Sequence, residues 1–150
     1  MKLKIYIKGE LPIILKIGDC VDLKLAEPVK MKKGEFAIFS LGVAMKLPKG
    51  LRANVYSRSS LPKNGVIVAN SVGIIDNSYN GTNDVWRIPL YAINDCDLPK
   101  GTRVCQFEIV PSQFATIWQR IKWLFTSKIE FVSTDRLEST DRKGIGATGL

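Results

Sequence analysis

The sequence contains no histidine among its 150 residues and only three cysteines. The absence of histidine excludes imidazole general bases and histidine-built metal sites, so acid–base chemistry has to use carboxylates, tyrosine, lysine or cysteine. Cys20, Cys96 and Cys105 are an odd number with wide spacings and no CxxC motif. This pattern indicates neither a disulfide framework nor a zinc site, and it favours a reducing, cytoplasmic environment.

The chain also lacks any apolar run approaching the ~20 residues of a membrane span, and lysines alternate with apolar residues where a signal peptide would begin. Acidic residues are the minority, with 14 Asp and Glu against 22 Lys and Arg, for a formal charge of +8. This charge favours an anionic partner, although scattered lysines fit a solubilising surface equally well. The length suits one domain with one core.

Short apolar segments alternate with turn signals every ~8–12 residues, which predicts roughly nine or ten β-strands. The first is Lys2–Lys8, whose apolar residues fall on one face. Many short strands in this arrangement are typical of an all-β sandwich or barrel. Neither a βαβ alternation nor a GxGxxG motif is present, which argues against a Rossmann fold.

One segment breaks the strand pattern. Over residues 113–125, apolar side chains recur at helical spacing, which predicts an inserted amphipathic helix with Gln119, Arg120 and Lys122 facing outward. Such a helix would either cover a sheet face or a subunit seam, or offer a docking surface to another protein or to a membrane surface.

The most informative stretch is residues 57–81, SRSSLPKNGVIVANSVGIIDNSYNG. Arg58, Ser59 and Ser60 can supply guanidinium and hydroxyl donors to a phosphate. Asp76 directly follows two isoleucines, a setting for a partly desolvated carboxylate that can take a proton. A phosphate-binding turn followed by one candidate base predicts hydrolysis of a phosphate compound.

This stretch resembles the second and third signature motifs of the trimeric dUTPases, which split dUTP into dUMP and pyrophosphate. GDCVDL (18–23), KGTRVCQF (100–107) and DRKGIGATG (141–149) resemble the first, fourth and fifth motifs. The details look most like the branch from Bacillus and Gram-positive phages. The resemblance implies a distorted jelly-roll or β-barrel over residues 1–135, a flexible C-terminal arm over 136–150, a homotrimer with shared sites, Mg²⁺ as cofactor and dUTP as substrate.

The resemblance also implies roles for individual residues. Asp22 would hold Mg²⁺ through water, although taken alone it could be a buried structural carboxylate. Asp76 would activate the attacking water, Gln106 would help to place it, and Arg142 would close on the γ-phosphate. Asn70 would contact uracil, and Tyr79 would lie under the deoxyribose, where taken alone it would rather be a core aromatic. The expected substrate-binding residues are Arg58, Ser59, Ser60, Asn70, Gly73, Tyr79, Gly144, Ile145, Gly146 and Thr148.

The fifth motif departs from the family pattern. Ile145 occupies a position where many members have an aromatic side chain that stacks on uracil, and Ala147 replaces a serine. We expect Trp86 or Arg87 to act as a substitute lid. Two other functions stay open: a dCTP deaminase, which shares the fold, and a dUTPase that also binds a regulatory protein through residues 113–125. Neither nucleic acid nor membrane is an expected partner.

Overall fold

The structure is a computed structural model that describes residues 2–14, 18–126 and 128–142. Within these ranges the chain is almost entirely β, with one α-helix and a short 3-10 turn at Leu61–Asn64. The elements in chain order are β1 (Lys2–Gly9), β2 (Ile13–Ile14), β3 (Val21–Lys24), β4 (Val29–Met31), β5 (Phe36–Ser40), β6 (Val43–Lys46), β7 (Leu51–Ser57), β8 (Val66–Val68), β9 (Val72–Ile75), β10 (Arg87–Ala92), β11 (Cys96–Leu98), β12 (Arg103–Pro111), α1 (Ile117–Leu124) and β13 (Lys128–Ser133).

The strands form four hydrogen-bonded sheets. The largest has the order β2-β3-β12-β7-β9 and is antiparallel throughout. Two three-stranded sheets have the orders β13-β1-β6 and β5-β10-β8, and β11 pairs with β4. Strand β13 returns parallel to β1, which brings the chain beyond the helix back to the N-terminal strand. The predicted all-β architecture is confirmed.

A single apolar cluster lies between these sheets. Alternation within each strand directs side chains into it, as in β1, where Leu3, Ile5 and Ile7 are buried and the intervening residues are exposed or half-buried. Its aromatic centre is Trp86, which contacts Phe107 edge to face at 5.2 Å between ring centroids. Phe107 in turn meets Phe131 of β13 at 6.4 Å. The core therefore joins the large sheet to the sheet that contains the N-terminal strand.

The predicted helix exists but is shorter than residues 113–125. It begins after Thr116, whose hydroxyl accepts a hydrogen bond from the backbone N–H of Gln119, while the Gln119 side chain accepts one from the Thr116 N–H. This reciprocal capping box sets the first turn of the helix at Ile117, so the residues before Thr116 lie outside the helix. Ala115 instead closes a turn onto the carbonyl of Ser112.

The orientation of α1 differs from the prediction. Gln119 and Arg120 face the body of the protein, where Arg120 donates to the carbonyls of Ser112, Gln113 and Ala115. The main apolar contact is Trp123, which packs against the core and donates from Nε1 to the carbonyl of Ile109. No residue of α1 is buried. Amphipathic spacing identified the helix but not the face that meets the protein.

The outward face of α1 and its flanks is consequently apolar. The side chains there that expose between 64% and 94% of their surface include Phe114, Ile117, Trp118 and Leu124. We call these four residues the exposed helix face. Among the residues described, no helix is long and apolar enough to cross a membrane.

Candidate active site

A tight turn at the end of β7 places the first group of predicted site residues. Leu61 is completely buried, and its backbone N–H donates to the carbonyl of Arg58 at 3.0 Å, which closes the turn. The 3-10 turn then ends at Gly65, whose φ of +82° is accessible to glycine without strain. Ser59 is left exposed at the tip, and Ser60 makes no side-chain capping bond. We call residues 58–60 the arginine–serine turn.

Asp22 lies beneath this turn and is almost completely buried. Its Oδ2 accepts a hydrogen bond from Arg103 Nη1 at 3.1 Å and forms an ion pair with Arg58, whose Nε lies 3.2 Å away. A buried carboxylate has to be paired, and two guanidinium groups satisfy this requirement. The arrangement matches the structural interpretation of Asp22 that the sequence left open, and it fixes the direction of the Arg58 side chain.

Gln106 belongs to the same group. It pairs with Asp22 on one side and with Tyr56 on the other, so the three residues form a row across β3, β12 and β7. Its Nε2 donates to the carbonyl of Ser57 at 3.3 Å, directly before the arginine–serine turn. The structure therefore brings together five predicted site residues: Asp22, Arg58, Ser59, Ser60 and Gln106.

The predicted base-binding residues lie on the β8–β9 hairpin. Asn70 is exposed at the tip, where Ser71 has a positive φ of 61°. Gly73 pairs with Val55, and a Cβ at Gly73 would meet the Val55 Cβ at 3.4 Å and Asn70 Nδ2 at 3.8 Å. These are ordinary contact distances, so Gly73 leaves the hairpin edge beside Asn70 open without being required by packing.

Asp76 is the first residue after β9 and belongs to a second group. Its side chain is 64% exposed, which corrects the expectation of partial desolvation for an isolated chain. Its Oδ2 lies 3.5 Å from Arg142 Nη1, and Arg142 also donates to the hydroxyl of Ser78. Tyr79 is half-buried and donates its hydroxyl to the carbonyl of Val85 at 2.9 Å. Burial raises the pKa of the Tyr79 phenol, so its proton stays in place at neutral pH.

A buried carboxylate that the sequence analysis missed secures the start of the predicted arm. Asp84 accepts from the backbone N–H of Gly81 at 2.9 Å and, with both oxygens, from that of Arg142 at 2.7 and 2.8 Å. Asp141 accepts from the backbone and side-chain N–H groups of Asn83, which hold the pKa of Asp141 below its usual value. Thr82 is hydrogen-bonded to both backbone groups of Leu137. The segment 137–142, which we call the arm root, is thus fixed on its own chain, and the domain boundary at 135 stays a prediction.

Gly81 permits this contact because it has no side chain. A Cβ there would lie 2.2 Å from Asp141 Oδ1 and 2.5 Å from Asp141 Cα. We therefore expect Gly81→Ala to displace the arm root, with at least about tenfold faster hydrogen exchange of the Leu137 and Arg142 amides, because the hydrogen bonds that protect them would open. Gly73→Ala is the control, since its φ is not positive and its Cβ would meet Val55 and Asn70 only at ordinary contact distances. Unchanged protection of both amides in Gly81→Ala would contradict this account of the arm root.

Trp86 is not a lid. It is completely buried and packs on Phe107, so it cannot reach a ligand, and this part of the prediction was wrong. Arg87 is exposed at the start of β10 and remains the only one of the two with access to solvent. The spacing along the chain could not separate an inward from an outward residue at the beginning of a strand. The predicted residues Gly144, Ile145, Gly146 and Thr148 lie outside the described residues.

The two groups are far apart within one chain. The arginine–serine turn follows β7, whereas Asp76 follows β9, whose Ile75 pairs with Ala53 near the opposite end of β7. The path from Ala53 to Arg58 corresponds to about 17 Å at a rise of ~3.4 Å per strand residue. Within a single chain, Asp76 therefore does not lie beside the arginine–serine turn.

The described residues contain no group of three or more His, Cys, Asp or Glu side chains that could hold a metal ion. Asp22 is one carboxylate that already forms ion pairs with two guanidinium groups. Since Mg²⁺ prefers oxygen ligands and keeps several waters, these residues fit Mg²⁺ only when a polyphosphate brings most of the ligands and Asp22 acts through water.

Fold and site together define a class: an all-β protein in which the arginine–serine turn and Asp76 lie at opposite ends of two neighbouring strands, β7 and β9. The sequence profile described as dUTPase matches residues 18–143. The chain belongs to the dUTPase family.

Individual dUTPases are similar to this chain in sequence and in structure. The chain is 46% identical to the SPbeta prophage-derived deoxyuridine 5'-triphosphate nucleotidohydrolase YosS of Bacillus subtilis, over 88% of this chain and 84% of that protein. The dUTPase of Streptococcus mutans superposes with a TM-score of 0.64 and 28% identity, covering 71% of this chain and 88% of that structure. The D95N mutant dUTPase of the Staphylococcus aureus phage phi11, described with a structural Mg(II) ion, superposes with the same TM-score at 18% identity, covering 75% and 94%. The predicted fold class is confirmed.

Proposed function

We propose that this chain hydrolyses dUTP to dUMP and pyrophosphate in a homotrimer whose active sites are shared between copies. Membership of the dUTPase family supports the substrate and the reaction. The observation that supports shared sites is the separation of Asp76 from the arginine–serine turn along β7. A cyclic assembly of identical chains can place the Asp76 edge of one copy against the turn of the next.

The arginine–serine turn binds the phosphates in this proposal. Because Arg58 Nε is engaged with Asp22, its two terminal nitrogens are left to bind phosphate oxygens. The exposed Ser59 hydroxyl and the Ser60 hydroxyl add neutral donors beside it. Gln106, held by the Ser57 carbonyl, is positioned to orient the attacking water.

Asp76 is the general base. It accepts a proton from water as the water oxygen attacks the α-phosphorus, and the bond to the bridging oxygen breaks so that pyrophosphate leaves. The neighbouring chain and the substrate would remove Asp76 from solvent, which the isolated chain does not do. Arg142, now 3.5 Å from Asp76, would move to the γ-phosphate, where Gly144, Gly146 and Thr148 would assist it.

The hairpin and the tyrosine would select the nucleoside. Backbone groups beside Gly73 and the amide of Asn70 can match the one donor and two acceptors of uracil. Tyr79 is held by its bond to Val85, and its ring would lie under the deoxyribose and exclude a 2′-hydroxyl. Ile145 would cover the base from the arm, with Arg87 as an additional planar cover.

Magnesium would enter with the substrate. When bound, Mg²⁺ would neutralise phosphate charge and lower the cost of releasing pyrophosphate. Asp22 would accept a hydrogen bond from a water of its shell.

Incubation with dUTP, UTP, dTTP and dCTP, each with Mg²⁺, tests the proposal. We expect pyrophosphate from dUTP at a rate far above that from the other three nucleotides. Ammonia release from dCTP would instead support the deaminase alternative, and equal rates with all four nucleotides would contradict selection by the hairpin.

The exposed helix face supports a second function, binding of a regulatory protein. Its apolar side chains are largely exposed, Lys122 is an exposed cation four residues after Trp118, and residues 109–126 contain no acidic residue. An apolar surface with a positive border fits an acidic, amphipathic partner segment.

A capture experiment that uses two matched proteins as bait tests this second function. Wild-type protein and a variant with Ile117→Ser and Trp118→Ser would be compared for capture of a host protein and for oligomeric state. Capture by the wild type alone, with the trimer intact in both, is the expected result. Dissociation of the variant trimer would show that the exposed helix face is a subunit seam instead.

A further inference from the structure

Three charged side chains meet beneath the arginine–serine turn: Asp22, Arg58 and Arg103. Both arginines form ion pairs with the same carboxylate oxygen, at 3.2 Å for Arg58 and 3.1 Å for Arg103, and Arg103 also donates a hydrogen bond to it. The side chain of Asp22 is 2% exposed, whereas those of Arg58 and Arg103 are 24% and 39% exposed. The negative charge is therefore enclosed, and both positive charges reach the surface.

A shift in strand register puts Arg103 in this position. Strand β12 pairs Cys105 with Leu23 and Arg103 with Lys24, so one residue is inserted between the two pairs. Because side chains alternate along a strand, Arg103 without this shift would share the inward face of Cys105. With the shift it lies on the face of Asp22 and Gln106. The carbonyl of the inserted Val104 also accepts from the backbone N–H of Arg58 at 3.4 Å.

The charges explain what a second arginine contributes. Asp22 and Arg58 alone would form a neutral pair, in which the carboxylate offsets the charge that Arg58 presents to phosphate. With Arg103 on the same oxygen, the three side chains carry a net charge of +1, since two positive groups share one negative group.

We propose that Arg103 is a positioning residue for phosphate binding. It balances the charge of Asp22, so that Arg58 keeps both its direction and its positive charge toward the polyphosphate. This inference rests on the proposed function, because it assigns Arg58 to the phosphates of a nucleotide.

If Arg103 has this role, replacing it should weaken nucleotide binding by a factor that grows with the number of phosphates. Calorimetry of dUMP, dUDP and a non-hydrolysable dUTP analogue would compare wild type with Arg103→Met and Arg103→Lys. We expect Arg103→Met to bind the triphosphate analogue about tenfold more weakly and dUMP less than twofold more weakly. Arg103→Lys keeps the charge and should recover most of the loss. Lys30→Ala, which removes a charge paired with Asp97 on β11, is the control and should change neither affinity.

A double-mutant cycle with Asp22→Asn completes the test. Once the carboxylate charge is absent, Arg103→Met should cost much less than it does beside Asp22. Two results, in variants that remain folded and trimeric, would overturn the proposal. One is an equal loss of affinity for dUMP and for the triphosphate analogue, and the other is losses of affinity that simply add in the double variant. Failure of the wild type to bind any of the uridine nucleotides would overturn the proposed function itself.

Discussion

Asp76→Asn is expected to lower kcat for dUTP by about a thousandfold, the range expected when a general base is removed. The amide keeps the size and hydrogen-bonding reach of the side chain but cannot accept the proton of the attacking water. Its ion pair with Arg142 is exposed to solvent, so the folded state should lose less than about 1 kcal/mol. Steady-state kinetics would measure kcat, and calorimetry with a non-hydrolysable analogue should show nearly unchanged affinity.

Asp97→Asn is the matched control for this prediction. Asp97 is an exposed aspartate on β11, where it pairs with Lys30 and not with any residue of the site. Full activity of this variant together with loss of activity in Asp76→Asn would assign the effect to position 76. If Asp76→Asn kept a kcat within about tenfold of the wild type, Asp76 could not be the base, since general-base catalysis contributes roughly 100-fold or more.

Trp86→Ala is expected to destabilise the protein by about 3–5 kcal/mol, the usual cost of removing a fully buried large aromatic residue. Trp86 has no exposed surface and packs edge to face on Phe107 at the centre of the core. Arg87→Ala, at the adjacent exposed position, should change the free energy of unfolding by less than about 0.5 kcal/mol. Urea unfolding of the two variants and the wild type would measure this difference.

Trp86→Phe refines the same comparison. It keeps an aromatic ring against Phe107 and removes an indole N–H that is buried without a hydrogen-bond partner, so the loss should be clearly smaller than for alanine. A Trp86→Ala variant as stable as the wild type would contradict the central position of Trp86 in the core. A raised KM in Arg87→Ala alone would support Arg87 as the cover of the base.

The sequence predicted features whose signals are local. Alternation of apolar residues identified strand β1, and helical spacing identified α1, because both patterns follow from the geometry of one element. The arginine–serine turn was also predictable, since its donor residues are consecutive. Asp22, Gln106 and the end of β7 form a row, so the structure brings together residues that the family resemblance had assigned to one site, and their roles stay a prediction.

The features that were missed or misassigned depend on how elements pack. Arg103 reaches Asp22 only because β12 shifts register, and Asp84 becomes a buried anchor only when the arm root returns to it. Neither contact can be predicted from the spacing of residues in the sequence. The orientation of α1 was wrong for the same reason. Arg120 donates to carbonyls of the segment directly before the helix, and the Gln119 side chain caps the helix at Thr116, so both polar side chains are half-buried.

Mixing two inactive variants tests the shared site most directly. Asp76→Asn lacks the base and Arg58→Ala lacks the phosphate-binding guanidinium, so each should be inactive alone. Trimers assembled from an equal mixture of the two, with subunit exchange verified by native mass spectrometry, should recover about a quarter of wild-type activity. The reason is that each shared site draws its two halves independently from neighbouring copies. Verified mixed trimers without activity above that of the separate variants would show that Asp76 and Arg58 act within one chain, and would contradict the account.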